Sequence, residues 1–345
     1  MDPQTYRVAQ WATGHTGMHA LRKIIEHPLY ELVGLYTYSD TKVGRDAGDI
    51  CGMEPTGVKA TRHIDEILSV RPDCVLYMPL LGHESIDDMC RILESGANIV
   101  TPVVGFYHPP SIKADIRDRL EAACQRGRSS VYGTGPGPGY ILLDVPLTLA
   151  LMERRIDRMS ILQYADVSNR QSPAWLVETF GFDPAEAPRR RMARGLGLAD
   201  GACLRQFADA VGAPLDDVTR TVSWAVATHG VELDAGRIEA GTVAAWRATI
   251  TGLRRGKPFV EFDRTFFATR DLDPVWSIPE GKSGWHIRVD GDAPMDVDIR
   301  WSPEDYQRYS PGINANIVVN CVPAVCQAPP GINTVDELRP VPYLG

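Results

Sequence analysis

Ala12-Thr13-Gly14-His15-Thr16-Gly17 follows a short β-prone run at residues 7–11. It opens a stretch in which Met18, Leu21, Ile24 and Ile25 recur at helical spacing as far as His27-Pro28. The six residues read A-x-G-x-x-G, with alanine where such turns carry their first glycine. The segment is suited to hold a phosphate: Gly14 lets the backbone approach a pyrophosphate, and Gly17 lets the helix pack on the strand. The N–H groups of the first helical turn then face the negative charge. A pair of glycines also makes a plain tight turn, so the surroundings decide.

Those surroundings alternate. β-Prone runs stand at residues 32–38, 58–61, 74–77, 98–104 and 130–132, and helical patterns at 64–70, 86–93 and 112–123. Strands separated by helices of this length imply a parallel sheet, because each parallel connection needs a crossover. The expected fold is α/β: an amino-terminal Rossmann unit, a doubly wound parallel sheet whose first turn takes a dinucleotide. Gly14, His15, Thr16, Gly17 and Met18 would line the pyrophosphate, with Pro79 and Gly135 as further cofactor contacts.

An NAD site usually places Asp or Glu at the end of the second strand, on the ribose hydroxyls. Here that place holds Thr37-Tyr38-Ser39; Asp40 comes one position late, with Lys42 and Arg45 close behind. Hydroxyls plus cations suit a 2′-phosphate, so Tyr38, Ser39, Lys42 and Arg45 favour NADP(H), with NAD(H) the alternative. A solvated loop is the other reading of the two cations.

The 345 residues are enough for about two domains. A net charge of −8 argues against a general nucleic-acid binder while leaving room for a pocket that holds one dinucleotide. Seven cysteines, at 51, 74, 90, 124, 203, 321 and 326, form no cluster with metal-ligand spacing. No metal is expected, and reduced thiols point to the cytoplasm. The first residues lack a signal-peptide pattern, and no apolar run approaches the roughly 20 residues that span a membrane.

Two stretches resemble a known family. Gly44-Arg45-Asp46-Ala47-Gly48-Asp49-Ile50-Cys51-Gly52 is similar to the G-x-D-A-G-E-x-x-G run of dihydrodipicolinate reductases. The tail Asn316-Ile317-Val318-Val319-Asn320-Cys321-Val322-Pro323-Ala324-Val325-Cys326-Gln327-Ala328-Pro329-Pro330-Gly331 resembles the VVNAIPAV-x-x-APPG tail of the dihydrodipicolinate reductase-like group. That group includes 2,4-diaminopentanoate dehydrogenase and the native amine dehydrogenases; Ala240-Gly241-Thr242-Val243-Ala244-Ala245 matches it too.

The resemblance implies residues 1–136 as a dinucleotide-binding domain completed by 312–345. Residues 137–311 would be a substrate domain with an open mixed sheet that builds a homodimer. β-Prone runs at 248–250, 258–262, 285–289 and 297–301 fit that sheet. The activity implied is NAD(P)-dependent hydride transfer to or from a small C=O or C=N substrate. A non-catalytic NADP-binding sensor or partner protein is the other class open to such a scaffold.

Two departures bear on chemistry. The reductases' E-x-H-H-x-x-K-x-D-x-P-S-G-T run is missing; Tyr164-Ala165-Asp166-Val167-Ser168-Asn169 occupies its place. The amine dehydrogenases' glutamate after the fifth strand is also missing, from Val104-Gly105-Phe106-Tyr107-His108-Pro109. Oxidation of simple primary amines should then be weak, unless a carboxylate elsewhere, Asp166 first, has taken over.

His108 lies past a strand's carboxyl end, where open α/β sheets bind ligands, and is the first candidate proton donor. An exposed loop histidine is the plain alternative. Gly133-Thr134-Gly135-Pro136-Gly137-Pro138-Gly139-Tyr140 resembles the family's G-x-x-P-G-F hinge and would bring Tyr140 to the substrate. Tyr164 and Asp166 follow a strand expected at 159–162. Trp175 and Phe180 would wall the pocket, though aromatics so spaced are more often plain core. Residues 222–227 have helical spacing, making His229 a helix cap.

Overall fold

The computed structural model describes residues 5–80, 83–103, 105–169, 173–190, 198–281, 283–301, 306–338 and 340–343. It divides into two compact units. One runs to Tyr140 and resumes at Ser310; the other is Ile141–Tyr309.

In the first unit the chain runs β1 (Tyr6–Trp11), α1 (His15–Glu26), β2 (Tyr30–Tyr36), α2 (Ala47–Cys51), β3 (Ala60–Thr61) and α3 (Ile64–Ser69). It continues through β4 (Cys74–Tyr77), α4 (Ile86–Glu94), β5 (Asn98–Thr101), α5 (Ala114–Gly127) and β6 (Ser130–Gly133). All of its strand pairs are parallel.

Side chains alternate across a strand, so Val8 and Leu76 join one apolar layer while Ala9, Val75 and Tyr77 join the opposite one. All four β4 residues are buried, as expected for a central parallel strand covered on both faces. On α1 the buried positions Gly17, Ala20, Leu21 and Ile24 give the stripe that docks the helix. Ser85 caps α4, accepting the Asp88 N–H at 3.1 Å.

The second unit holds α6 (Asp144–Ala150), β7 (Ile156–Asp166), α7 (Pro173–Thr179), α8 (Leu198–Ala210), β8 (Asp217–Ala227), β9 (Val231–Leu233) and β10 (Gly236–Ile238). Then come β11 (Val243–Arg254), β12 (Lys257–Phe267), β13 (Leu272–Asp273), β14 (Ser283–Gly291) and β15 (Met295–Arg300). Its seven-stranded sheet runs β13-β8-β11-β12-β7-β14-β15, with β12 and β7 parallel and the other neighbours antiparallel. This is the expected mixed sheet.

The chain closes with α9 (Tyr306–Asn320), α10 (Val322–Cys326) and β16 (Gly331–Asn333). The first sheet is completed by β16, in the order β16-β6-β5-β4-β1-β2-β3. The strand order reverses between β1 and β4, where doubly wound sheets bind ligands.

Two expectations are corrected. Residues 222–227 lie in β8, not in a helix, and Trp224 pairs with Trp246 of β11. A short apolar run cannot be assigned by periodicity alone, and β-branched and aromatic residues tip this one to a strand. His229 therefore caps no helix; its Nε2 lies 3.6 Å from Asp271. The strand expected at 159–162 also runs on to Asp166, so Tyr164 and Asp166 stand within β7.

Candidate active site

Trp11 ends β1, and α1 begins four residues later. In between, Ala12 takes φ +77, the left-handed conformation that the usual glycine would adopt without cost. An alanine there costs roughly 1–2 kcal/mol, so the turn keeps its shape despite the substitution. A Cβ on Gly17 would lie 2.3 Å from the Ala12 carbonyl oxygen, so only glycine lets α1 pack on β1. A Cβ on Gly14 would meet nothing within 4 Å. Gly14 caps α1 without a side chain, and its carbonyl accepts the Met18 N–H at 2.9 Å. The helix start thus faces open space with first-turn N–H groups that have no intrahelical acceptor. That arrangement fits a pyrophosphate.

His15 is exposed at this start, Thr16 and Met18 are half-buried, and the His15 and His19 rings stack at 6.5 Å. Burial, then Arg22 and His15, holds the His19 imidazole below its usual pKa. The Lys42 ammonium donates to the Thr13 carbonyl at 2.8 Å and approaches Thr13 Oγ1 at 3.2 Å. Thr13 Oγ1 also lies 3.1 Å from Thr37 Oγ1. The second-strand loop is thereby fastened to the phosphate turn.

Ser39 Oγ lies 2.9 Å from Thr41 Oγ1, while Arg45 is exposed. Asp40, the nearest acid, is paired with Arg62. Tyr38 accepts from the Trp11 indole at 3.0 Å and donates to the His83 carbonyl at 3.3 Å. Burial raises its phenol.

The carboxyl ends of β4, β5 and β6 carry Pro79, His108 and Gly135. Pro79 is half-buried and Gly135 buried. The His108 side chain is not an exposed loop imidazole: it is buried, with Nδ1 2.6 Å from Ser111 Oγ. Tyr107 extends its hydroxyl toward the Pro138 carbonyl at 3.5 Å. This contact brings the loop after β5 against the glycine-proline turn after β6, and His108 is the next residue in the chain. Tyr140 is 39% exposed, and its N–H donates to the Gly135 carbonyl at 2.7 Å. Val104 lies outside the described residues.

In the second unit Tyr164 is buried and donates to the Glu280 carbonyl at 3.2 Å. Asp166 accepts the Ser168 N–H at 2.9 Å, and Phe180 is buried beyond α7. Trp175 belongs to α7, but its side chain is outside the described residues.

Two acids escaped the sequence reading. Asp200 on α8 is buried and pairs with Arg264 of β12 at 2.9 Å; Arg264 also donates to Gln163 at 3.1 Å. Desolvation raises the Asp200 carboxyl, and Arg264 pulls it back. Asp144 opens α6 and is half-buried; desolvation pushes its carboxyl up to about 6 against only its own backbone N–H. The available signal was one acid within the apolar run Ile141-Leu142-Leu143-Asp144-Val145. The described residues contain no group of three or more His, Cys, Asp and Glu side chains that could hold a metal.

Comparison with known proteins places this geometry among dehydrogenases. Residues 195–344 match the family model of the 2,4-diaminopentanoate dehydrogenase C-terminal domain. An amine dehydrogenase of Streptomyces virginiae is 28% identical over 348 residues, covering 97% of this chain and 96% of that protein. The amine dehydrogenase structure from Mycobacterium smegmatis superposes with a TM-score of 0.78 at 19% identity, covering 98% of this chain and 97% of that one. Biliverdin reductase from Synechocystis, solved with biliverdin and NADP+, gives a TM-score of 0.50 at 12% identity over 93% of this chain and 89% of that one. At such identities the two structures speak for the fold.

Proposed function

We propose, for a chain that is an NAD(P)-dependent oxidoreductase of the dihydrodipicolinate reductase-like group, akin to 2,4-diaminopentanoate dehydrogenase and amine dehydrogenase, that it uses NADP(H) to interconvert a small C=O or C=N compound and its reduced form. The observation that carries the cofactor reading is the open start of α1, with the Lys42 ammonium on Thr13 beside it. Bound there, the nicotinamide gives or takes the hydride. The α1 N–H groups hold the pyrophosphate, and Lys42 with Arg45 meets the 2′-phosphate. Asp40, occupied by Arg62, does not compete for ribose hydroxyls.

NADPH should accordingly bind more tightly than NADH. A charge-assisted contact is worth on the order of 1.5–3 kcal/mol, so Lys42→Ala/Arg45→Ala should erase most of that preference. Calorimetry with both nucleotides on both proteins checks it; equal affinities in the wild type would overturn the NADP reading.

The proton that accompanies the hydride needs a donor, and His108 and Tyr140 are the candidates. His108→Ala and Tyr140→Phe, assayed separately, should single out one: its loss should lower kcat by roughly 10²–10⁴-fold. If both variants keep wild-type kcat, the donor lies elsewhere.

Small-molecule turnover on a homodimer in the cytoplasm completes the reading. Paired strands place Glu261, Asp263 and Thr265 on one face of the mixed sheet beside Ser160, Leu162 and Tyr164. Half-buried polar groups on that face, among them Arg158–Glu261 at 2.8 Å, suit a partner surface that is itself polar. Light scattering tests the dimer.

A second reading, amine dehydrogenation with a relocated carboxylate, is favoured by the likeness to an amine dehydrogenase over 97% of this chain.

A further inference from the structure

Gln10 interrupts an apolar face of β1. Strand alternation puts it on the side of Tyr6 and Val8, which pack in one cluster with Ala20 and Ile24 of α1. Its side chain is fully buried, and Oε1 has no hydrogen-bond partner among the described residues. A buried acceptor left in that state is costly, and an apolar side chain of similar size would avoid the loss. The nitrogen of the amide shows what is gained. Nε2 donates to the Ala12 carbonyl at 3.0 Å and to the Trp11 carbonyl at 3.2 Å. Turning the amide over would aim an oxygen at both carbonyls, so these two contacts decide which atom is nitrogen.

Ala12 is the residue of the turn that most needs holding. Its φ of +77 is left-handed, and its N–H donates to the Tyr36 carbonyl of β2 at 2.9 Å. With Gln10 on its carbonyl, both of its backbone polar groups are engaged. The neighbouring carbonyls are engaged as well. Trp11 also accepts the Met78 N–H at 3.2 Å, Thr13 the Lys42 ammonium at 2.8 Å, and Gly14 the Met18 N–H at 2.9 Å. Every carbonyl oxygen from Trp11 to Gly14 is therefore directed at a donor of the protein. A phosphate needs N–H groups before it and carbonyl dipoles turned away. The Gln10 side chain draws two of these carbonyls at once. It also lies where α1 meets β1, since a Cβ on Gly17 would stand 3.2 Å from Nε2.

We propose that Gln10 is a positioning residue for the dinucleotide, whose amide holds Ala12 left-handed and its carbonyl away from the pyrophosphate, a restraint that glycine at residue 12 would make unnecessary. This rests on the cofactor reading above. Gln10 is buried beneath the turn and acts on the nucleotide only through it. The pyrophosphate is common to both nicotinamide nucleotides, so Gln10 governs the affinity for each alike. The choice between them belongs to the loop of Lys42 and Arg45.

The test is a double-mutant cycle in the full chain: wild type, Gln10→Met, Ala12→Gly and Gln10→Met/Ala12→Gly. Each is titrated with NADPH and with NADH by calorimetry and melted without ligand. Methionine keeps the unbranched shape and removes the donor. Gln10→Met should weaken both nucleotides by roughly 10-fold, the weight of one buried hydrogen bond, and leave the ratio of their affinities unchanged. In the Ala12→Gly background the same change should weaken them by no more than about 3-fold, because glycine adopts the left-handed conformation unaided. Gln10→Met should melt near the wild type, since loss of the unpaired Oε1 offsets part of the lost donor.

Equal affinities in wild type and Gln10→Met would overturn the proposal, whatever the melting temperature. An equal loss in both backgrounds would overturn it too, and would make Gln10 an ordinary core residue. If Gln10→Met does not fold, the double variant decides: a folded, nucleotide-binding double variant supports the proposal, and an unfolded one overturns it. A wild type that binds neither nucleotide would overturn the cofactor reading, and the proposal with it.

Discussion

Gly14→Val should bind neither NADPH nor NADH measurably while melting close to the wild type. Gly14 has φ −70 and ψ −174, extended backbone open to any residue, and an added Cβ meets nothing within 4 Å. The fold therefore makes no demand for glycine here; the space before α1 does. Valine fills it and keeps a phosphate from the first-turn N–H groups. Each charge-assisted hydrogen bond is worth roughly 1.5–3 kcal/mol, so losing two weakens binding by at least about 100-fold. Gly17→Val is the contrasting control: its Cβ would lie 2.3 Å from the Ala12 carbonyl oxygen, and both fold and binding should suffer. Calorimetry with thermal melts on both variants separates the roles. Undiminished nucleotide affinity in Gly14→Val would mean that the phosphate binds elsewhere.

Arg264→Met should destabilise the protein by about 3–5 kcal/mol at about pH 8, because it leaves a buried charge without its partner. The side chains of Asp200 and Arg264 are only 2% and 16% exposed. Asp200 Oδ1 takes the guanidinium at 2.9 Å, while Oδ2 is buried with no hydrogen-bond partner among the described residues. With the cation gone, the Asp200 carboxyl rises further above its unfolded value. The loss is then full above the folded pKa and absent below the unfolded one. Urea titrations at about pH 8 and about pH 5 should show a smaller penalty at the lower value. Asp200→Asn/Arg264→Met should recover part of the loss at about pH 8. Equal penalties at both pH values would show that no buried charge is at stake.

Legibility differed between the two units for physical reasons. In the first, each strand and helix carries its own apolar run or stripe within a short window of sequence. The β4 run Cys74-Val75-Leu76-Tyr77 and the α4 stripe of Met89, Ile92 and Leu93 are as plain in the sequence as in the structure. Ala12 shows the limit: alanine hides the left-handed turn that glycine would have announced.

The second unit pairs strands far apart in sequence. Asp166 pairs with Phe267 across the parallel β7–β12 ladder. Periodicity alone left residues 222–227 ambiguous, and their pairing with β11 makes them a strand. The nucleotide turn was legible because a backbone motif makes it. The burial of His108, the Asp200–Arg264 pair and the desolvation of Asp144 arise from neighbours that sequence spacing does not name.

The first unit is also finished late. Ala315, Val318 and Val319 of α9, with Val322 and Val325 of α10, pack in one cluster with Val8, Leu76 and Val100 of the early strands. Those five residues follow the whole of Ile141–Tyr309. On a ribosome adding about 5–20 residues per second, the early strands must wait on the order of ten seconds or more for the cover of one face. During that interval an apolar sheet surface has only α1, through Ala20 and Ile24, to cover it, beside a β6 edge that β16 has not yet joined. The nascent chain is therefore a natural client for chaperones that shield hydrophobic surfaces, and its yield on heterologous expression should respond to their supply more than to the stability of the finished protein.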